Sequence, residues 1–249
     1  MKDIYIGVKF CFSYFSILPV NISNDIDVTK DSIIKSFLFF LPFIGLVLGV
    51  LTVSIYYIFE SYSYLGLIVA SISYMVLYGF LHTEAIADVV DALYAKHSGK
   101  DAYKVIKEPT IGAMGLLYTI VFVLLKIAVI MYIFEQNLFY EFIAVLVFSR
   151  LALVFNIYLF DIHEKSTFIL MMKKNISKIF LLLALIFSSV IVILLTSFYT
   201  LALGFLVLVI CMFVVKILQS KLNFVNGDVL GTSLEVGELI SLFLLIVLI

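Results

Sequence analysis

Long apolar segments separated by short polar ones dominate the chain. A helix needs about 20 apolar residues to cross a hydrocarbon core about 30 Å thick. Four runs reach or approach that length, at residues 36–59, 64–81, 112–134 and 138–160. A fifth run, residues 179–215, contains no charge and is too long for one span. We therefore predict two helices there, hinged near residues 197–200.

The two ends of the chain add further candidates. Residues 233–249 form a shorter apolar run, and residues 4–20 indicate either a further span or a helix lying in the membrane interface. No run shows the alternation of a barrel strand, so helices are the only way to satisfy the backbone in lipid. The pattern predicts an all-α, polytopic transmembrane bundle of about seven spans plus the N-terminal helix. Residues 1–249 are predicted to form a single integral membrane domain.

Composition strengthens this interpretation. Of the 249 residues, 64% are hydrophobic and 13% are charged, with a mean hydropathy of +1.23. Soluble domains carry about 25% charged residues, so the apolar surplus requires a bilayer as its solvent. The net charge of −1 argues against a nucleic acid partner held by bulk charge.

The distribution of lysines predicts the orientation. The connections around Glu60, residues 135–137 and residues 197–200 contain no Lys or Arg. The alternate connections are rich in lysine, and the positive-inside rule places them in the cytoplasm. The three longest polar segments, residues 82–110, 161–175 and 222–232, are therefore predicted to share one cytoplasmic face. The predicted location is the bacterial cytoplasmic (inner) membrane.

The first polar segment carries an acidic stripe. Glu84, Asp88 and Asp91 follow an i, i+4, i+7 spacing, which places them on one side of a helix. Clustered carboxylates call for a compensating charge, and divalent cations favour such oxygen ligands. The alternative is a solvated polar face that pairs with nearby lysines. His82 lies on the opposite side if the helix already includes it.

Two further polar elements stand beside apolar helices. Lys107 precedes Gly112 and Gly115, where backbone amides at a helix start can hold a phosphate oxygen. The alternative there is an ordinary helix start whose small residues pack against a neighbour. Asp228 lies in a turn, and Glu235 and Glu238 follow at a helix start, where the dipole favours acids.

Only two basic residues lie deep within the spans. Lys126 and Arg150 are expected to face the bundle interior. Arg150 either pairs with a carboxylate or holds a phosphate through two hydrogen bonds. Lys126 either pairs within the bundle or extends its ammonium group to the membrane surface.

Taken together, these elements resemble the cobalamin synthase family, over nearly the whole chain and in order. The family pattern His-x-Asp-Gly-x-x-Asp-x-x-Asp-Gly is matched at His82, Asp88 and Asp91. Residues 107–115 and 227–238 are similar to its Lys-Asp-Ser-Arg-Ile-Gly-x-x-Gly and Gly-Asp-x-x-Gly-x-x-x-Glu-x-x-Glu segments. Further matches are a lysine at Lys126, Ser-Arg ending at Arg150, and the stretches 10–20 and 40–49.

The chain departs from the family pattern within the polar segments. Glu84 replaces an Asp, Glu108 replaces another, and Ala85 and Ala92 replace glycines. Thr110 replaces an Arg, which removes a phosphate contact that the family pattern implies.

The resemblance implies a reaction. The family transfers the cobinamide phosphoryl group of adenosylcobinamide-GDP to α-ribazole or its 5′-phosphate and releases GMP. Its implied cofactor is Mg²⁺, held here by Glu84, Asp88, Asp91 and Asp228. The implied phosphate or substrate contacts are Lys107, Gly112, Gly115, Arg150, Glu235 and Glu238, and the implied catalytic residues are His82, Asp88 and Asp91. A homo-oligomer or a complex with other cobamide-assembly enzymes is left open.

Two other functions fit parts of the sequence. A CDP-alcohol phosphatidyltransferase also holds Mg²⁺ on a membrane helix, but only Asp88-x-x-Asp91 of its pattern is present. An ion-coupled transporter would use Lys126 and Arg150 along a permeation path. It predicts charges near the midplane and repeated halves, whereas here the acids cluster at one interface.

Overall fold

The computed structural model describes residues 2–23, 25–195 and 198–248. Within these ranges the chain is α-helical, with one turn of 3₁₀ helix at Glu60–Tyr62 and no strand. The helices are α1 (Lys2–Phe15), α2 (Asp31–Phe39), α3 (Leu41–Phe59), α4 (Tyr64–Leu77), α5 (Leu81–His97), α6 (Ala102–Val105), α7 (Ala113–Glu135), α8 (Phe139–Leu159), α9 (Thr167–Lys174), α10 (Lys178–Leu195), α11 (Phe198–Leu222) and α12 (Gly227–Leu248).

Among the residues that the structure describes, six helices are long and apolar enough to cross a membrane: α3, α7, α8, α10, α11 and α12. A seventh span results if α4 and α5, which meet at a 78° bend, are counted together. The predicted all-α polytopic bundle is therefore confirmed. The N-terminal α1 has 14 residues, or roughly 21 Å at 1.5 Å per residue. That length favours the interfacial alternative for α1.

Several predicted span boundaries differ from the observed helices. The predicted span 36–59 is broken at Phe40, because the ring of Pro42 would clash with the carbonyl of Leu38 in a continuous helix. The predicted span 64–81 ends earlier, at Leu77. The run 179–215 is split into α10 and α11 as predicted. The hinge falls partly on residues 196 and 197, which lie outside the described residues, and α11 has already begun at Phe198.

Helix α8 forms the centre of the bundle. Sixteen of its 21 residues are buried, so it is covered on all sides and needs no polar face. Helices α3, α10, α11 and α12 pack around it. At the α3 contact, a Cβ on Gly45 would collide with the backbone carbonyl of Leu146. Glycine is required there because the two backbones approach so closely.

A tight bend redirects the chain between α4 and α5. Gly79 and Phe80 both adopt left-handed conformations, with φ of +65° and +54°. This conformation is uncommon for a bulky residue such as phenylalanine, so the surrounding structure must hold it. The bend turns α5 across the bundle, where it packs on α7 and α12.

The three polar segments meet at one end of the bundle, as predicted. The His163 amide donates to the Val225 carbonyl at 2.8 Å. The His163 ring stacks on Tyr103 with 3.7 Å between ring centroids, and Tyr103 also contacts Phe224 edge-on at 5.1 Å. Helix α7 runs from this end to the other, which carries Glu135.

Candidate active site

The acidic stripe of α5 faces a cluster of charges. Glu84 is exposed and Asp88 is half-buried. The described residues provide neither side chain with a hydrogen bond or an ion pair. Asp228, Glu84 and Asp91 are close enough to repel the charge of Asp88, and Lys107 is close enough to attract it. Asp88 is therefore the centre of an acidic cluster that one lysine only partly compensates.

Asp91 has a different environment from Asp88. Its carboxylate accepts the backbone amide of Gly112 at 2.6 Å and that of Gly115 at 2.8 Å. These two amides belong to the first turn of α7, where no helix carbonyl is available to them. Asp91 thus caps α7 from a neighbouring helix, and its charge suits the positive end of the helix dipole.

The glycines are needed for this contact. A Cβ on Gly112 would lie 2.6 Å from an Asp91 carboxylate oxygen, and a Cβ on Gly115 would collide with the same carboxylate. The amides that the sequence suggested for phosphate binding are therefore occupied by Asp91. The alternative of small residues packing against a neighbour describes this region better.

The start of α12 supplies the fourth acid. Asp228 accepts a hydrogen bond from the Lys107 ammonium at 2.9 Å and another from the Asn226 amide at 2.7 Å. Asn226 also caps α12, because its side-chain oxygen accepts the Val229 amide at 3.0 Å. The Asn-Gly-Asp turn therefore fixes the Asp228 carboxylate beside Lys107.

His82 lies on the other side of α5, since the helix begins at Leu81 and includes it. Its ring is buried against Phe15, with 5.5 Å between centroids, and stacks near Tyr78 at 6.3 Å. Gly231 of α12 packs against the histidine, where an added Cβ would lie 3.1 Å from Nδ1. Next to it, the Thr232 hydroxyl donates to the Ala85 carbonyl at 3.0 Å.

His82 and Asp228 both border a cavity of about 120 Å³. Tyr14 and Phe15 of α1 line it, together with apolar side chains of α3, α8 and α9. Burial raises the pKa of the Tyr14 hydroxyl, and the negative charge of Asp228 raises it further. Asp228 therefore links the cavity to the acidic cluster around Asp88.

A second group of charges is enclosed within the bundle. The Lys126 ammonium contacts both Glu235 and Glu238, and Glu238 also pairs with Arg150. Glu238 accepts further hydrogen bonds from Tyr74 and Ser149, each 2.7 Å long. Two cations and two carboxylates balance one another here. All four are buried, with at most 2% of any of these side chains exposed.

This enclosed group answers the question that the sequence left open for Lys126 and Arg150. Both pair within the bundle, and neither reaches the membrane surface. Of the predicted substrate contacts, Arg150 therefore pairs with Glu238, and Glu235 and Glu238 both bind Lys126 in this conformation. They do not line the cavity beside His82.

The residues of the acidic cluster are suitable for a hard cation. Mg²⁺ prefers oxygen ligands and usually binds through one or two carboxylates together with substrate phosphates. Glu84 and Asp88 have free carboxylates, and Asp228 is bound to a lysine that a cation can replace. Among the described residues, no group of three or more His, Cys, Asp or Glu side chains already has the arrangement of a metal site. The donor chemistry fits Mg²⁺, with the remaining ligands left to substrate and water.

Several residues of the region were not predicted from the sequence. Tyr14 and Phe15 gave no signal, because aromatic side chains in an apolar helix are ordinary. Asn226 belongs to an Asn-Gly-Asp turn, and a turn signal alone does not indicate that its side chain caps α12 and binds Asp228. Tyr74 could have been found, because it lies one helical turn before Tyr78 in an apolar run and its hydroxyl requires a partner when buried.

The chain is similar to known proteins over nearly its whole length. The family model for cobalamin-5-phosphate synthase matches residues 7–246. An adenosylcobinamide-GDP ribazoletransferase of Clostridium perfringens (strain SM101 / Type A) is 24% identical, covering 98% of this chain and 99% of the relative. The protein of the same name from Clostridioides difficile (strain 630) is 26% identical, covering 93% of each chain. No solved structure matches the chain.

Proposed function

Because the chain belongs to the cobalamin-5-phosphate synthase family, we propose that it is an adenosylcobinamide-GDP ribazoletransferase. The substrates are adenosylcobinamide-GDP and α-ribazole or its 5′-phosphate. A ribose hydroxyl oxygen forms a bond to the phosphorus that carries the cobinamide. The anhydride bond to GMP breaks, and the hydroxyl proton is removed.

One observation supports the proposed location of this reaction above the others. Asp88, Asp228 and Lys107, which are distant in sequence, meet beside the cavity that His82 borders. Phosphoryl transfer needs charge neutralisation, in-line positioning and help in removing the hydroxyl proton. This region combines carboxylates, an exposed lysine and a histidine, which are residue types suited to those three tasks.

In the proposed mechanism, Glu84, Asp88 and Asp228 would hold Mg²⁺, which when bound would neutralise charge on the phosphoryl group and on its leaving phosphate. Lys107 leaves Asp228 and binds a phosphate oxygen of the substrate, which its exposed position allows. His82 accepts or orients the hydroxyl proton, because its ring borders the cavity next to Asp228.

Asp91 has a positioning role in this mechanism. By holding the first turn of α7, it fixes the segment from α5 to α7 that carries Lys107. The buried charges of Lys126, Arg150, Glu235 and Glu238 hold α12 against α7 and α8. That contact sets the position of α12 along the axis of the bundle, and therefore the position of Asp228 relative to α5 and α7.

The two alternative functions find less support. A transporter requires charges along a path through the membrane. The buried charges are enclosed and paired, while the acidic cluster around Asp88 lies at one end of the bundle. The phosphatidyltransferase pattern is matched only at Asp88 and Asp91, and Asp91 is used as a helix cap.

The location of the active face follows from the distribution of charge. The lysine-rich end, with the acidic cluster, is proposed to face the cytoplasm of a bacterial inner membrane. A homo-oligomer or a complex with other cobamide-assembly enzymes remains a proposal that follows from the family alone.

The test uses the purified full chain in lipid nanodiscs. GMP release is followed after adding adenosylcobinamide-GDP, α-ribazole and Mg²⁺. We expect GMP and a cobalamin product in equal amounts, and no GMP when α-ribazole is omitted. Release without a ribosyl acceptor indicates hydrolysis and contradicts the proposal. The Asp88→Asn variant serves as the inactive control.

A further inference from the structure

The cavity beside His82 has walls of two kinds. One wall is aromatic and consists of Tyr14, Phe15 and His82. The aliphatic part of the lining includes Ile169 and Met172 of α9. Most of the accessible lining is therefore apolar, and Asp228 supplies a charge at one point of the border.

The size of the cavity restricts its occupant. Ligand pockets for drug-sized molecules usually occupy about 300–1,000 Å³, and this cavity has about 120 Å³. A corrinoid is much larger than this space. A single flat heteroaromatic ring system is of the right order, and aromatic walls favour such a ring through stacking and edge contacts.

The polar side of the cavity would orient a bound ring. Asp228 lies at the border and is also close to Asp88. A ribose attached to a ring in the cavity would extend toward this border. Its hydroxyl groups would then lie between His82 and the acidic cluster, which is where the attacking oxygen is needed.

We propose that this cavity is the subsite for the aromatic base of the ribosyl acceptor. The proposal rests on the function proposed above, since it assigns one of that reaction's two substrates. Helix α9 then helps to determine which base is accepted, because Ile169 and Met172 line the cavity. The corrinoid and the guanosine of the other substrate remain outside it, on the side of Lys107.

Ile169→Trp tests the assignment. Ile169 is only partly buried, so the larger ring fills the cavity without entering the central core. We expect the KM for α-ribazole to rise by about tenfold or more. The KM for adenosylcobinamide-GDP is expected to change by less than about twofold. A matched control is Ile186→Trp on α10, whose side chain is 51% exposed and distant from the cavity lining.

Binding measured without turnover separates this proposal from the proposed function. Equilibrium dialysis gives the Kd of α-ribazole for the full chain, for Ile169→Trp and for Ile186→Trp. We expect only Ile169→Trp to lose binding. If the unmodified chain binds α-ribazole but releases no GMP, the subsite stands and the proposed function fails.

Two results would overturn the subsite. One is normal α-ribazole binding by Ile169→Trp. The other is a selective rise in the KM for adenosylcobinamide-GDP, which would assign the cavity to guanine or to another part of that substrate.

Discussion

The Lys107 ammonium lies 2.9 Å from the Asp228 carboxylate, although 121 positions separate the two residues. This contact joins the segment that follows α6 to the first turn of α12. Both residues act on Asp88 electrostatically, one by attraction and the other by repulsion. A divalent cation can displace an exposed lysine from a carboxylate in such an arrangement. The lysine is then able to bind a phosphate.

Replacing Asp88 by Asn tests the centre of the cluster. The change removes one charge and preserves the shape of the side chain. We expect kcat to fall by about 10²-fold or more, because a group that stabilises charge in the transition state is lost. The Mg²⁺ concentration for half-maximal activity should also rise. GMP release measured against Mg²⁺ concentration gives both quantities.

Glu60→Gln is the matched control for Asp88→Asn. Glu60 is an exposed acid that follows α3 at the opposite end of the bundle. Its kinetics should equal those of the unmodified chain. Normal activity and Mg²⁺ dependence in Asp88→Asn would remove Asp88 from the mechanism.

The contact between Asp91 and α7 predicts a different behaviour. Asp91→Asn weakens the cap, and Gly115→Ala places a methyl group against the same carboxylate. Each change should lower stability by about 1–2 kcal/mol, the usual range for a helix cap. Because both act on one contact, the double variant should lose less than the sum of the two. Thermal unfolding in detergent measures this coupling.

Mg²⁺ dependence distinguishes this role of Asp91 from metal binding. Under the positioning role, Asp91→Asn lowers kcat but leaves the Mg²⁺ requirement within about twofold of normal, as does Gly115→Ala. A Mg²⁺ requirement raised as strongly as in Asp88→Asn would instead identify Asp91 as a ligand.

The fold was largely predictable from the sequence, because apolar run length is a direct consequence of bilayer thickness. Pro42 and the bend at Phe80 shift the ends of helices from their predicted positions. They hardly change the number of predicted spans. The acidic stripe was predictable for a similar reason, since helical spacing fixes which side chains share a face. That Asp88 is free and Asp91 is a cap depends on tertiary contact with α7, which spacing does not reveal.

The sequence predicted the two cations of the buried group but not their partners. Lys126 and Arg150 stood out because ionisable residues are rare within spans. Their partners Glu235 and Glu238 looked like acids at a helix start, because the sequence placed the beginning of the last span near residue 233. The helix begins six residues earlier, at Gly227, and this moves both glutamates into the bundle.

The enclosed charges predict a large loss of stability in Glu238→Gln. The change leaves Arg150 and Lys126 with one carboxylate in place of two. Breaking a buried pair on one side usually costs about 3–5 kcal/mol, because an uncompensated charge stays buried. The double change Glu238→Gln with Arg150→Gln should recover part of this loss. Thermal unfolding of the unmodified chain and of these two variants measures both effects.

Lys107→Met provides the comparison for the enclosed pairs. Its salt bridge to Asp228 is exposed, with 52% of the lysine side chain accessible. Such pairs contribute about 1 kcal/mol or less, so stability should hardly change while the KM for adenosylcobinamide-GDP rises. Equal destabilisation by Lys107→Met and Glu238→Gln would contradict the distinction between the two groups of charges.

Thr110→Arg should improve substrate binding. Thr110 borders an open cleft with Asp91 and Gly112, and the related family pattern has an arginine at this position. An added guanidinium can bind a diphosphate oxygen. We expect the KM for adenosylcobinamide-GDP to fall by a few-fold, with the effect weakening as salt is added. Thr110→Gln, which lacks the charge, should leave the KM unchanged.

The orientation can be tested with single cysteines. The native Cys11 and Cys211 are buried and free, so they should react slowly. Ser98→Cys lies at the lysine-rich end and Ser61→Cys at the other, and both positions are exposed. In intact cells a membrane-impermeant maleimide should label only Ser61→Cys. Labelling of Ser98→Cys before the cells are opened would reverse the orientation.

The enclosed charges also impose an order on how the protein is made. During synthesis, α7 and α8 enter the membrane with Lys126 and Arg150 before the acids of α12 exist. A lone Lys or Arg at the centre of a span costs about 2.5–3.5 kcal/mol on insertion scales. The free-energy cost of these two charges in lipid is therefore offset only when α12 packs against α7 and α8. The same helix carries Asp228, so the acidic cluster around Asp88 is completed in the same step that pairs the buried charges.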